Sequence, residues 1–321
     1  MSVFISLLWL AIGSAALYYG AEWLVGGGSK TAKKLGISPL IIGLTLVAYG
    51  TSAPELVVSV DAALLGQGGI SIGNVVGSNI CNIALILGLC AVITPLTVNR
   101  AMLKSDVPVM ALTAVVFCLI YWWQDGIGRL GGAILFAGFV LYNAKVIIGA
   151  KKEAALNNSV ETVTEEDGDK AEKPLYLYLL LAVLGLVVLV LGSKAFLRGA
   201  IEIAKLTGLS ETVIGLTIVA VGTSLPELAT SVVAAIKGER DIAIGNVVGS
   251  NIFNILLIMG VAPLIAPLTG ANIQFWDLVA LLATTFILIP FMITGFRLNR
   301  TEGVILLAMY GAYTAWLISC A

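Results

Sequence analysis

"VAYGTSAPELVVS" at residues 47–59 returns as "VAVGTSLPELATS" at residues 219–231, each inside an apolar stretch long enough to cross a bilayer. A proline breaks a helix, and a carboxylate in hydrocarbon is costly unless something pairs with it. Glu55 and Glu227 stand 172 positions apart, and the same shift lays "IGNVVGSNI" at 72–80 onto an identical string at 244–252. It also matches Gly20 with Gly192, Gly36 with Gly208, Ser38 with Ser210 and Gly43 with Gly215, so the duplication spans most of each half.

Of the 321 residues 59% are hydrophobic and 12% charged, with a mean hydropathy of +1.02, which places the chain among integral membrane proteins. Apolar runs predict ten transmembrane helices starting near residues 2, 39, 70, 105, 128, 174, 211, 242, 275 and 302. Barrel-type alternation is absent. The first run lacks the basic start of a cleavable signal and is expected to persist as a span. The expected fold is an all-α membrane protein: a first repeat over 1–150, a cytoplasmic acidic linker over 151–173 read as a solvated hinge, and a second repeat over 174–321. With five spans per half, an odd number, the second copy enters the membrane inverted, and such halves meet at a midplane site.

If the N-terminus lies outside, 14 of the 18 Lys and Arg fall on the cytoplasmic side, a strong positive-inside bias that puts both termini outside and the long loop inside. The net charge of −1 predicts no nucleic-acid partner. The chain contains no His, which removes His-ligated zinc and His proton relays, and no nucleophile and base pair suggests an enzyme. The four cysteines show no CxxC pairing and read as small buried hydrophobes. Asp61, Asp106, Asp125 and Asp277 lie near span ends and read as solvated caps, while Tyr121, Trp122, Trp123, Trp276 and Trp316 read as an interfacial belt.

The chemistry concentrates in the repeated phrases. Ser38 and Pro39 form an N-cap and first-turn pair for the second span. Pro54, near its centre, cannot donate to the Gly50 carbonyl, so oxygens around Ala48 to Thr51 are expected to lose partners, which is tolerable only facing protein, water or an ion. Thr51, Ser52 and Glu55 share one face, as do Thr223, Ser224 and Glu227. On the next span Asn74, Ser78 and Asn82 recur at i, i+4, i+8, and Asn246, Ser250 and Asn254 repeat them, although asparagine also serves as interhelical glue. Apart from Cys81 the donors are all oxygen, which suits hard cations such as calcium and sodium. Lys194 is the one basic candidate for pairing with the acids.

The doubled "GTSxPEL" and "GNVVGSNIxN" phrases resemble the sodium/calcium exchangers of the cation/calcium antiporter superfamily, in their short prokaryotic form, over essentially the whole chain. The resemblance implies four cation sites at the membrane centre, with ligands on Ala48 (carbonyl), Thr51, Ser52, Glu55, Ser78 and Asn82, and on Ala220 (carbonyl), Thr223, Ser224, Glu227, Ser250 and Asn254. Proton-coupled relatives carry "GNxxEL" instead, so sodium is the implied driving ion, and Asn254 in place of an acid argues against potassium coupling. It implies no cofactor, calcium and sodium as cargo, and alternating access as the first and sixth spans slide across the core, in a lipid bilayer, with a monomer sufficient. "LVGGGSK" at 24–30 then reads as hinge material, or simply as a loop. The rival readings are a proton-coupled or broader divalent-cation exchanger and, from another class, a passive calcium channel.

Overall fold

The computed structural model describes residues 3–161, 174–206, 220–269 and 273–320. Its helices are α1 (Val3–Leu35), α2 (Pro39–Thr51), α3 (Ala53–Leu64), α4 (Gly68–Ile93), α5 (Arg100–Gln124), α6 (Arg129–Glu161), α7 (Leu175–Leu206), α8 (Ala220–Gly222), α9 (Leu225–Ile236), α10 (Arg240–Ile265), α11 (Phe275–Ile293) and α12 (Arg300–Cys320). Among the described residues eight helices are long and apolar enough to cross a membrane, and α2 with α3 makes a ninth span bent by 44°. The span expected from residue 211 lies partly outside the described residues, as do Gly208, Ser210 and Gly215; its second part is α9.

Four two-residue strands, β1 (Leu96–Thr97), β2 (Gly126–Ile127), β3 (Leu268–Thr269) and β4 (Arg297–Leu298), interrupt the helical plan at loops. β1 pairs antiparallel with β4, and β2 with β3. The 25-residue α5 lies between β1 and β2 and spans about 37 Å, so the two ribbons sit at opposite ends of the molecule.

The tightest helix pair is α1 with α7. Glycines recur every seven residues on both, Gly13, Gly20 and Gly27 facing Gly185, Gly192 and Gly199. A Cβ on Gly20 would lie 2.7 Å from the Leu189 amide, and one on Gly27 would lie 2.7 Å from the Ala182 amide. Only hydrogen fits at such an approach. As the glycine number rises from 13 to 27 the partner falls from Phe196 to Ala182, so the two helices run antiparallel. Gly26, Gly27 and Gly28 lie inside α1, which corrects the loop reading of "LVGGGSK": packing of Gly27 on α7 and of Gly28 on Ile42 of α2 outweighs the poor helix propensity of three glycines.

Two further expectations change. α6 runs on to Glu161, so the segment expected to be a linker from 151 begins as helix, as the helix formers in "KKEAAL" allow; residues 162–173 lie outside the described set. Ser38 does precede α2, but its hydroxyl donates to Glu153 (3.4 Å) instead of capping the helix. Of the four span-end aspartates, Asp61 and Asp125 are exposed, and Asp277 closes a capping box with Gln274. Asp106 departs: it is buried and accepts a hydrogen bond from the Tyr142 hydroxyl (3.1 Å), because α6 packs over this end of α5. Trp122, Trp123 and Trp276 are exposed as a belt requires. The four cysteines are all free; Cys81 and Cys90 are buried and Cys118 is half-buried, but Cys320, the last residue of α12, is exposed, which corrects its reading as a buried hydrophobe.

Candidate cation site

Both repeated phrases break their helices in the same way. Pro54 and Pro226 sit in the first turn of α3 and α9, where a missing amide is harmless. The residues before those turns, Ser52 (φ −85°, ψ 5°) and Ser224 (φ −87°, ψ 9°), take nearly identical bridge-region dihedrals. Each acid therefore stands in the first turn of a new helix, where the dipole favours negative charge. Opposite them, α4 and α10 widen into π-helix at Cys81–Leu87 and Asn254–Ile258, beginning at or just before Asn82 and Asn254. π-turns recur at functional sites because they push a side chain out of helical register.

The two halves interlock through these breaks. The Ser52 hydroxyl donates to Glu227 Oε1 (2.8 Å), and the Ser224 hydroxyl donates to Glu55 Oε1 (3.3 Å). The Thr51 hydroxyl reaches Asn246 Oδ1 (3.1 Å), and Ser250 Oγ reaches the Ala48 carbonyl (3.5 Å). Asn82 Nδ2 reaches Asn251 Oδ1 (3.4 Å). Glu55 and Glu227 are 0% and 1% exposed, so two acids from distant sequence share one dry site.

That site is under-satisfied. Glu55 Oε2, Glu227 Oε2, Ser78 Oγ, Asn82 Oδ1, Thr223 Oγ1 and both amide atoms of Asn254 are buried without a hydrogen-bond partner. A buried unpaired polar group costs about 1–3 kcal/mol, and a charged one more. Lys194 is exposed on α7 and supplies no compensation. No third acid joins Glu55 and Glu227 among the described residues, so the arrangement is two carboxylates ringed by neutral oxygens and amides, a donor set for a hard cation.

The sodium/calcium exchanger protein family matches residues 5–147 and again 177–319, two equal windows offset by the same 172 residues as the internal repeat. The chain belongs to the sodium/calcium exchanger family. It is 36% identical to the sodium/calcium exchanger MaX1 of Methanosarcina acetivorans, over 96% of this chain and 97% of that one. It is 38% identical to the inner membrane protein YrbG of Escherichia coli, over 80% and 79%. Among solved structures, the sodium-calcium exchanger NCX_Mj superposes with a TM-score of 0.83 at 32% identity, covering 98% of this chain and 99% of that chain. The protein is thus a membrane-embedded cation/calcium antiporter of the short prokaryotic type, of a family that moves sodium and calcium ions, and its relatives are transporters, not enzymes.

Within this exchanger the asparagines of each stripe separate by role. Asn74 Nδ2 donates to the Glu55 carbonyl (3.1 Å) and Ser59 Oγ (2.9 Å); Asn246 Nδ2 donates to the Glu227 carbonyl (3.4 Å) and Ser231 Oγ (2.9 Å). Those two tie each acid-bearing helix to its neighbour, whereas Asn82 and Asn254 keep unpartnered atoms. The freed carbonyls are less bare than expected. Ala48 O still accepts from the Ser52 amide (3.0 Å), and Gly222 O, four residues before Pro226, accepts from the Ser193 hydroxyl on α7 (2.9 Å). Ala220 is the first described residue after a gap, so only its place at the start of α8 is fixed. Sequence reasoning missed Ser193 and the pair Asn79 and Asn251. The asparagines lie in the repeated phrase itself, so the 172 shift could have found them; Ser193 has only Ala21 as its equivalent, and no pattern announces it.

Proposed function

We propose that this protein exchanges sodium for calcium by alternating access, independently of potassium. The observation that carries the reading is the facing pair Glu55 and Glu227, each with a fully buried oxygen that no protein donor meets. Two like charges a few ångströms apart repel by several kcal/mol at an interior dielectric, about 4 kcal/mol at 4 Å and an effective constant of 20. One calcium, or sodium ions taken together, removes that repulsion. Asn254 is neutral, so the cage carries two negative charges and offers no extra acid for a further cation.

Coupling follows from the same charge. Calcium and sodium compete for both carboxylates, so loading one expels the other, while the empty cage is too polar to pass the apolar barrier during reorientation. Thr51, Ser52, Ser78, Asn82 and the Ala48 carbonyl, with Thr223, Ser224, Ser250, Asn254 and the Ala220 carbonyl, complete the coordination. NCX_Mj, soaked with sodium and strontium, was solved as a case of extracellular ion exchange and induced binding-site occlusion; similarity across nearly the whole chain supports the same cycle here.

The full layout is ten spans in two inverted five-helix repeats, 1–150 and 174–321, joined through a cytoplasmic segment over 151–173. Support comes from α1 and α7, repeat equivalents that run antiparallel. The ribbons agree: β1 and β3 are repeat equivalents, yet each pairs across the halves at opposite ends of α5. The lysine and arginine distribution favours a prokaryotic plasma membrane with both termini outside. Because one chain closes the cage, a monomer suffices.

Calcium uptake into proteoliposomes decides between driving ions. An outward sodium gradient is expected to drive uptake that an equivalent proton gradient does not, and potassium is expected to leave the rate unchanged. Uptake that ignores sodium sinks this reading. Net calcium flux that persists with sodium absent from both sides indicates a channel.

A further inference from the structure

Where α9 turns into α10, two contacts grip α1. Lys237 Nζ lies 2.7 Å from Glu22 Oε1, and the Ser29 hydroxyl donates to Glu239 Oε1 at 2.7 Å. Glu22 and Ser29 are seven residues apart, just under two turns, and so share one face of α1. Lys237 and Glu239 flank Gly238, whose φ of +82° makes the turn tight enough to present both side chains to that face. The ion pair is about one-third exposed, 36% and 35% on its two sides.

The repeat supplies an internal control. The equivalent turn between α3 and α4 has the same backbone. Leu65 (φ −83°, ψ 3°) matches Lys237 (φ −76°, ψ −4°), Gln67 (φ −97°, ψ 58°) matches Glu239 (φ −80°, ψ 58°), and Gly66 (φ +71°) matches Gly238. Its chemistry is different. The 172 shift puts Leu65 for Lys237, Gln67 for Glu239, Lys194 for Glu22 and Ile201 for Ser29. Leu65 is 73% exposed and Lys194 is exposed, so this end has the turn without the grip.

We propose that Glu22, Ser29, Lys237 and Glu239 form a one-sided latch that ties the α1–α7 pair to the α9–α10 turn and biases the transport cycle toward one of its two orientations. The inference rests on the alternating-access reading above. The glycine seam makes α1 and α7 one unit, so any sliding of that unit past the core shears both contacts together. Two inverted copies with identical chemistry would give two orientations of equal energy. A contact present in one copy and missing from the other removes that equality. An ion pair this exposed shifts a two-state population about two- to five-fold, and the shift weakens as salt screens it.

The test uses the full chain in proteoliposomes of sorted orientation and reads the ratio of apparent calcium affinities at the two faces. Glu22→Gln and Lys237→Gln are each expected to move that ratio about two- to five-fold in the same direction, and Ser29→Ala by less. The swap E22K with K237E restores it, and Lys194→Gln, the equivalent site in the other half, leaves it unmoved. A second readout does not depend on flux. Hydrogen–deuterium exchange of the turn at 236–240 in detergent is expected to rise in the single variants and return in the swap. Folded single variants that change neither the ratio nor the turn's protection overturn the latch, as does a swap that fails to restore both. If the wild type shows no sodium-driven exchange while the turn's protection still responds, the exchange reading fails and the contact stands.

Discussion

The string IGNVVGSNI occurs once on α4 and once on α10, and the two copies meet the opposite half through different polar contacts. On α10 a Cβ at Gly249 would lie 2.7 Å from the Leu44 carbonyl, and one at Gly245 would lie 3.0 Å from the Leu40 carbonyl, so this face is pressed onto the backbone of α2. The same helix receives the Thr51 hydroxyl at Asn246 Oδ1 (3.1 Å) and extends Ser250 Oγ to the Ala48 carbonyl (3.5 Å), whereas the repeat equivalents of those two hydroxyls, Thr223 Oγ1 and Ser78 Oγ, are buried without a partner. Identical residues thus close polar contacts across the halves in one copy and leave the equivalent hydroxyls open in the other. Local sequence sets what a face can pack against, and the state of the whole molecule sets whether it does. Unequal contacts made by two equal copies are what the proposed alternating access requires at any instant.

The sharpest challenge to that comparison is at the acids, where the halves are expected to behave alike. Glu55→Gln and Glu227→Gln should each reduce sodium-driven calcium uptake by about 100-fold or more, with folding retained, because either change removes half the charge that holds a divalent ion. Near-normal uptake in one variant alone would show that the copies are not equivalent at the cage. A smaller effect is expected where the halves differ. Gly249→Ala overpacks the α2 seam and should lower stability in detergent by about 1–3 kcal/mol. Thr51→Val removes hydrogen bonds that are made and should cost about 0.5–1.5 kcal/mol in ion-free detergent, whereas Thr223→Val removes an unpartnered hydroxyl and should be close to neutral. Equal destabilisation by the two threonine changes would erase the difference between the copies. The smallest effect belongs to the ties. Asn74→Ala and Asn246→Ala should each cost about 0.6 kcal/mol, at most about 1.7, and leave sodium–calcium competition curves unmoved, whereas Asn82→Ala and Asn254→Ala shift them.

The candidate site was legible from sequence as a set of residues because duplication wrote it twice. The proline breaks at 54 and 226, the carboxylates beside them and the hydroxyl and amide stripe opposite are all local patterns, and the structure brings them to one place. What escaped depends on distant partners. Asn74 and Asn82 look alike on a helical stripe, but only the first meets a carbonyl and a serine of its neighbour. Asp106 reads as a cap until α6 covers it, and the glycine triplet at 26–28 reads as a loop until α7 packs on it.

Sequence alone determined that the chain lives in a membrane, that it is built twice, and that each copy places one acid beside a broken helix. Composition, period and proline act over a few residues, and a 20-residue window records them. Tertiary structure alone decided which serine reaches which glutamate, which of two identical helices meets a threonine hydroxyl of the other half, and that Lys237 meets Glu22 while Leu65 meets no such partner. Those outcomes join residues about 170 to 215 positions apart, and their energies exist only once both surfaces are assembled in one geometry.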